Sequence, residues 1–419
     1  MAKIKIGVFG GGRGSSMIKF CKLYQDAELV AICDKYQEVL DKQKEQDGVE
    51  NVTFYTNFED FIKHDMDAVV LANYATEHAP YAIRCLNAGK HVFSEVLPCQ
   101  TLKEAVELIE TVEKTGKVYA YGENYCYMAG PREIRKLYKE GKLGEFEYGE
   151  GEYIHNCEPI WPDITYGEES HWRNNKYSTF YCTHSIGPII HITGLRPVSV
   201  VGFEGSLTER NLRSGAKGAQ FGIEMITLEN GGIVKSVHGN LYKNSIWYSV
   251  YGSKGRAETA REDADLDNVS MLYVNADEYS GEYPKNKKPI AYKPFIDEKA
   301  NDFGHSGSDY YTMLNFVKKI NGDEDADVID VYEALDMFLP GLMAYRSILD
   351  GSSPVKIPNL RDKAERDLYR NDVACTDKNI AGDSLLPTQK GGTPTIDKEV
   401  YQNVYKIWRS HVEDEKNKN

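Results

Sequence analysis

No apolar run in this chain reaches the roughly 18 residues that a bilayer crossing requires, so no membrane-spanning helix is expected. Cysteine is sparse and scattered: eight residues in 419, with no CxxC pair. That usage excludes a disulfide framework and points to reduced thiols. A basic surplus is also missing. Sixty-four acidic residues outweigh 50 basic ones, leaving a net charge of −14, which argues against a nucleic-acid partner. The opening MAKIKIGVFG already reads as a strand and lacks the parts of a signal peptide, so a cytoplasmic location is expected. There is no internal repeat and no low-complexity tract. His155, Cys157, His171, His184 and His191 match no compact zinc spacing, and no metal site is expected.

What remains is a chain long enough for two domains. Short apolar runs at Ile4–Phe9, Glu28–Cys33, Val52–Tyr55, Ala68–Ala72, His91–Ser94 and Val118–Tyr121 read as strands. Several are continuous and β-branched, as strands buried on both faces should be. Helical segments separate them. In one, Thr101 and Glu104 form a capping box, Ala105, Leu108, Ile109 and Val112 share a face, and Gly116 is the stop. The alternation predicts an α/β fold, with a doubly wound parallel sheet over residues 1–125.

Beyond residue 125 the strands lengthen and gain aromatics: Phe146–His155, Val198–Phe203, Ile223–Leu228, Ile233–Gly239 and Trp247–Tyr251. Glu229–Gly232 is a hairpin signal. Helices are expected at Pro131–Glu140, His184–Thr193, Ser308–Ile320 and Val331–Leu349. Residues 126–360 should therefore form an α+β domain, an open and mainly antiparallel sheet with helices on one face. Such a domain would bind substrate and support a homo-oligomer, dimer or tetramer. Residues 361–419 are expected to wrap the surface and end in a helix over Asp397–Val412.

The segment GVFGGGRGSSM follows the first strand and opens a helix. Gly10, Gly12 and Ser15 stand where a GxGxxG fingerprint places its glycines. Gly10 permits the turn, Gly12 lets a pyrophosphate approach the backbone, and the helix start after Gly14 and Ser15 offers N–H donors. Asp34 ends the second strand, about 20 residues on, where an acid binds the ribose hydroxyls. An acid there favours NAD over NADP, with Arg13 keeping an NADP option in view.

Three clusters carry groups able to move protons. Glu123–Asn124–Tyr125 ends the sixth strand, at the carboxyl edge where ligands of such sheets bind. Tyr153 and His155 share one face of a strand, with Ile154 on the other. His184 in Tyr181–Cys182–Thr183–His184 stands at a helix start, where the dipole would keep it neutral. Each cluster has a plain structural alternative: a solvated junction, a polar outer face, a structural histidine. Twenty-nine tyrosines suit sugar recognition, though most will serve packing.

The glycine loop, Asp34, AGKHVFSE at 88–95 and the two-domain layout resemble the Gfo/Idh/MocA oxidoreductases. In that family a Glu-Lys-Pro signature follows the fifth strand; here the residues are Glu95-Val96-Leu97-Pro98, without the lysine. Further stretches resemble glycoside hydrolase family 109, the NAD-dependent α-N-acetylgalactosaminidase group. They are SEV at 94–96, ENYCY at 123–127, GEGEYIHN at 149–156, WRNN at 172–175, YCTHSIGP at 181–188, GHSGSDY at 304–310 and DVYEALDMFLPG at 330–341. That family has Tyr-Pro-Thr-His where this chain has Tyr-Cys-Thr-His, and an acid where Asn156 stands.

The resemblance implies active-site roles for Glu123, Tyr153, His155, Tyr181 and His184. It implies substrate contacts from Arg173, Thr183 and Tyr310, and cofactor contacts from Asn73, Thr76, His78, Glu95, Val96 and Asn124. It also implies glycoside cleavage by transient oxidation at C3, elimination, water addition and re-reduction. A sugar dehydrogenase that releases a keto product shares every cofactor feature. A non-catalytic NAD sensor or scaffold is the alternative of another class.

Overall fold

The computed structural model describes residues 3–261, 271–276 and 290–418. The chain divides into two compact units. The first comprises Met1–Arg135, Lys293–Asp336 and Asn359–Asp372; the second comprises Lys136–Tyr292, Met337–Pro358 and Val373–Asn419.

The first unit holds six parallel strands: β1 (Ile4–Phe9), β2 (Ala27–Cys33), β3 (Thr53–Tyr55), β4 (Ala68–Leu71), β5 (His91–Ser94) and β6 (Tyr119–Tyr121). Their order is β3-β2-β1-β4-β5-β6, the doubly wound order that reverses beside β1. The strands are nearly all apolar because helices cover both faces. The capping box forms as expected. Thr101 accepts from the Glu104 amide, and the Glu104 carboxylate accepts from the amides of Gln100 and Thr101, a cap worth about 1 kcal/mol. Gly116 closes that helix in the left-handed region, at φ 61°.

Two later segments complete this unit. Helix Ser308–Ile320 brings Tyr310, Met313, Phe316 and Val317 into one core with Phe20, Ile6, Val8 and Phe93. The stretch Asn359–Asp372 is anchored by Arg366. Its guanidinium grips both oxygens of Glu113, at 2.8 and 2.6 Å, and donates to the Leu360 carbonyl. Arg370 grips Glu110 in the same forked way. Part of the tail expected to wrap the surface thus carries a buried arginine.

The second unit is built on a nine-stranded sheet. Its strands are β7 (Phe146–Ile154), β8 (Pro197–Glu204), β9 (Phe221–Leu228), β10 (Ile233–Gly239), β11 (Ser245–Gly252), β12 (Gly255–Thr259), β13 (Leu272–Ala276), β14 (Ile290–Tyr292) and β15 (Val355–Lys356). The order is β14-β13-β12-β11-β7-β10-β9-β8-β15. All described pairings are antiparallel except β10 with β7.

Register lines up Gly202, Glu224, Ser236, Gly151 and Tyr248 in one row across this sheet. Helix Thr183–Thr193 lies directly on that row. A Cβ on Gly151 would stand 1.8 Å from the Ser185 carbonyl oxygen, so only glycine admits the helix. Ser185 and Ser236 hydroxyls meet at 2.7 Å, and the Tyr248 hydroxyl donates to the His184 carbonyl at 2.6 Å. The later part of helix Val331–Leu349 covers the same face at Gly202, through Ala344.

Candidate active site

In the first unit, the loop after β1 has the form a dinucleotide needs. Gly10 sits at φ 101°, and a Cβ there would collide with the Ala72 carbonyl. Gly12 is open, with nothing within 4 Å of an added Cβ. A Cβ on Gly14 would press on the Gly10 carbonyl and Val8, and Ser15 opens the helix Ser15–Leu23. Asp34 reaches back across the loop, its carboxylate accepting from the amides of Gly11 and Tyr36, both at 2.9 Å. Burial raises its pKa above the usual carboxylate value, and those amides pull it back.

Two buried amide oxygens at this sheet edge, Oδ1 of Asn73 and Oδ1 of Asn124, have no hydrogen-bond partner among the described residues. They are acceptors left for a donor from outside the chain. With the open Gly12 and the Asp34 carboxylate they fit a dinucleotide. Thr76 lies half-buried in a short turn at Ala75–Glu77. His78 is fully inside, with Nδ1 2.9 Å from the Leu97 carbonyl and Nε2 3.3 Å from that of Asn73. Burial pushes its pKa down to about 4 and keeps it neutral, so its one ring N–H donates to one of these two carbonyls.

A charge cluster with buried carboxylates and exposed cations occupies the ends of β5 and β6. The Arg13 guanidinium stands 2.8 Å from Glu95 and 3.7 Å from Asp309. Asn124 donates to Asp309 at 2.9 Å, and His305 lies 3.1 Å from the same carboxylate. Burial pushes Glu95 up to about 7 despite Arg13. Burial also opposes ionisation of Asp309, but His305, Arg13 and Asn124 outweigh it and hold its pKa well below the usual range. Val96, in place of the expected lysine, is buried. Glu123 is wholly buried, and its carboxylate accepts from the Tyr125 amide at 3.2 Å.

Sequence reasoning named Tyr310 in the GHSGSDY stretch. That ring packs in the core against Phe20 and Phe303, with centroids 5.7 and 5.3 Å away. The neighbouring Asp309 and His305 are the residues that the stretch sends to the charge cluster. The glycine before that helix, Gly307, marks where the helix starts, but nothing local in the sequence marks Asp309 or His305 for the cluster.

In the second unit the structure gathers six expected residues. The Tyr153 hydroxyl lies 3.0 Å from His155 Nδ1, so the two share a face at the end of β7. The His184 ring meets the Tyr153 ring edge-to-face at 4.6 Å and the Tyr181 ring at 5.0 Å. Thr183 is buried as the first residue of the helix that carries His184. The Arg173 guanidinium lies 4.4 Å over the Trp172 ring and 5.7 Å over Tyr181.

One neighbour, Lys176, escaped the sequence reading, and another, Cys157, was weighed there only as a metal ligand. Lys176 Nζ stands 4.9 Å over the Tyr181 ring. Burial, then the charge of Arg173, pushes its pKa down to about 8. Burial raises the Cys157 thiol, but a hydrogen bond from His155 and the charges of His155, Arg173 and Lys176 bring it below the usual thiol range. Among the described residues there is no cluster of three metal-ligating side chains, and no helix is long and apolar enough to cross a membrane.

Residues 4–123 match the family described as "Oxidoreductase family, NAD-binding Rossmann fold", the Gfo/Idh/MocA group, and residues 224–364 match "Glycosyl hydrolase 109, C-terminal domain". The chain is similar in sequence to the family 109 glycosyl hydrolases. A family 109 protein of Solibacter usitatus is 26% identical over 393 residues, spanning 85% of this chain and 88% of that one. One from Bacteroides thetaiotaomicron is 27% identical over 395 residues, spanning 85% and 84%.

The same fold occurs in an Agrobacterium radiobacter oxidoreductase solved with NAD+, L-tartaric acid and magnesium. Its TM-score is 0.69 at 14% identity, over 85% of this chain and 99% of that one. Scyllo-inositol dehydrogenase of Lactobacillus casei, solved with NAD(H) and scyllo-inositol, gives 0.64 at 19% identity, over 85% and 99%. By its sequence matches the chain is an NAD-dependent enzyme, with an NAD-binding unit of the Gfo/Idh/MocA kind. Gly10, Gly12 and Asp34 stand at the fingerprint positions of its NAD-binding unit.

Proposed function

We propose that the chain is an NAD-dependent glycosidase that cleaves by oxidation at C3, elimination across C1–C2, addition of water and re-reduction. The observation that carries this reading is the linked pair Tyr153 and His155, 3.0 Å apart and joined to His184 and Tyr181 by ring contacts. Elimination needs several proton-transfer groups close together, and this cluster supplies them. The absence of the family lysine, with apolar Val96 in its place, supports a plan other than plain dehydrogenation.

Gly10, Gly12, Gly14, Ser15, Asp34, Asn73 and Asn124 would hold the cofactor. When bound, NAD supplies an acceptor for the C3 hydride and returns that hydride at the end of the cycle. A tyrosine or histidine of the cluster takes the C3 hydroxyl proton. The C3 ketone acidifies the C2–H bond, and Tyr153 or His155 removes that proton as the C1–O bond to the aglycone breaks. Water then adds hydroxyl at C1 and a proton at C2. Glu123 orients groups at the end of β6. No NADH accumulates, because the sugar leaves at its original oxidation level.

Cleavage in D2O is therefore expected to place deuterium at C2 of the product, with flat absorbance at 340 nm. Unlabelled product excludes the elimination. Net NADH formation would mark a sugar dehydrogenase instead. Sugar binding without turnover across a broad glycoside panel would mark a sensor.

A further inference from the structure

Arg173 and Lys176 stand over one ring, that of Tyr181, at 5.7 and 4.9 Å. Both side chains are half-buried. Among the described residues neither forms an ion pair with a carboxylate; both cations lie over aromatic rings, and the acidic group beside Lys176 is the Cys157 thiol. Other arginines of this protein have carboxylate partners, Arg366 with Glu113 and Arg210 with Glu158, while half-buried Arg132 lies over the Tyr311 ring at 3.8 Å. Two neighbouring cations withdrawn from water repel each other and lose hydration. A counter-ion from outside the chain would recover that cost, most of all a doubly oxygenated anion that the planar guanidinium can grip in two places.

We infer that the sugar recognised here carries an anionic group, a carboxylate or a sulfate ester, held between Arg173 and Lys176. The half-buried Tyr181 ring, backed by Trp172 at 6.1 Å and close to parallel, supplies an apolar surface beside the charge for the ring carbons. This inference rests on the glycosidase reading for the identity of the sugar, but the anion site itself does not.

The test uses the full chain loaded with NAD and two kinds of measurement. The first is direct binding of free galacturonate, galactose 6-sulfate and galactose by calorimetry. The expected result is affinity at least tenfold higher for one of the acidic sugars than for galactose. That preference should fall to within twofold in Lys176→Met and shrink in wild type as salt rises. The carboxylate and sulfate arms identify the anion. The second is turnover on matched neutral, uronide and sulfated glycosides.

Equal binding of all three sugars overturns the inference. Turnover of neutral glycosides with no gain from the acidic group overturns it while leaving the glycosidase reading intact. Acid-selective binding without cleavage of any glycoside supports the anion site and removes the glycosidase. Should Lys176→Met fail to fold, Lys176→Gln and the salt dependence of the wild-type protein carry the same decision.

Discussion

His238 Nδ1 lies 3.5 Å from the Glu224 carboxylate, and both side chains are buried on the helix-covered face of the second unit's sheet. His238 is also the register partner of Tyr153 on the parallel strand β7. Neither the carboxylate oxygens nor the ring nitrogens have a hydrogen-bond partner among the described residues. The opposing group for each is the other, at 3.5 Å.

Removing one member should leave its partner buried and uncompensated, at about 3 kcal/mol. Urea unfolding of Glu224→Leu and His238→Leu is expected to show that loss in each. The double variant should lose much less than the two losses added together, with a coupling of 1 kcal/mol or more by the usual scale for contacting buried groups, roughly 0.5–3 kcal/mol. Additive losses would mean that the two groups do not interact.

Glu95 gives a pH signature. Burial raises it to about 7 in the folded protein, above the value of about 4.5 expected when unfolded. The folded state thus holds a proton that the unfolded chain has released, and stability from this group falls as pH rises through that window. His78, lowered to about 4, contributes with the opposite sign, and Glu104, raised to about 7, with the same sign. The difference between wild type and Glu95→Gln isolates Glu95. Without cofactor, urea unfolding at intervals from pH 5 to 8 should show the variant gaining on wild type, by up to about 1.4 kcal/mol per pH unit. Parallel curves would place Glu95 at an ordinary pKa.

Arg366 should resist conservative change. Its fork meets two oxygens of Glu113 and its Nε a backbone carbonyl, and a lysine ammonium cannot satisfy all three. Arg366→Ala is expected to cost about 2–4 kcal/mol, since Glu113 is partly exposed. Arg366→Lys should recover less than half. Chemical denaturation of the two variants decides this, and full recovery by lysine would reduce the contact to a point charge.

Asp34 should set cofactor choice. Replacing it with serine removes a carboxylate already fixed by two amides. NAD affinity is expected to fall at least tenfold, about 1.4 kcal/mol or more, while NADP affinity changes less. Fluorescence titration of both cofactors reads the ratio. Arg13→Ala should leave that ratio unchanged, because its guanidinium faces Glu95 and Asp309. A ratio moved by Arg13 and not by Asp34 would reverse the assignment.

The nucleotide end of the fold was legible because its signals are local. β-branched runs mark β1 and β4, and the Thr101–Glu104 box and Gly116 mark a helix at both ends. The Tyr153–His155 pair was legible from strand alternation. Lys176 was not, since nothing local tells a solvated lysine from one folded over Tyr181. Glu224 and His238 were hidden differently. In FGIEMITL both faces of β9 carry apolar residues, so a carboxylate on the inward phase looks like an outward one. The roles of Asp309 and Arg366 depend on partners far away in sequence, Arg13 and Glu113, which no spacing rule connects.

The three-part first unit also has a consequence for synthesis. Its β-sheet is translated by Arg135, yet Tyr310, Phe316 and Arg366 complete its core and clasp, and the last of its segments ends at Asp372. At ribosomal rates of ~5–20 residues per second, the sheet waits on the order of 10–50 s with an unfinished core. The whole second sheet emerges in that interval. The nascent chain must therefore keep an apolar face of its nucleotide half sheltered until nearly nine-tenths of it has been made. A fragment ending at residue 125 should expose that face and aggregate.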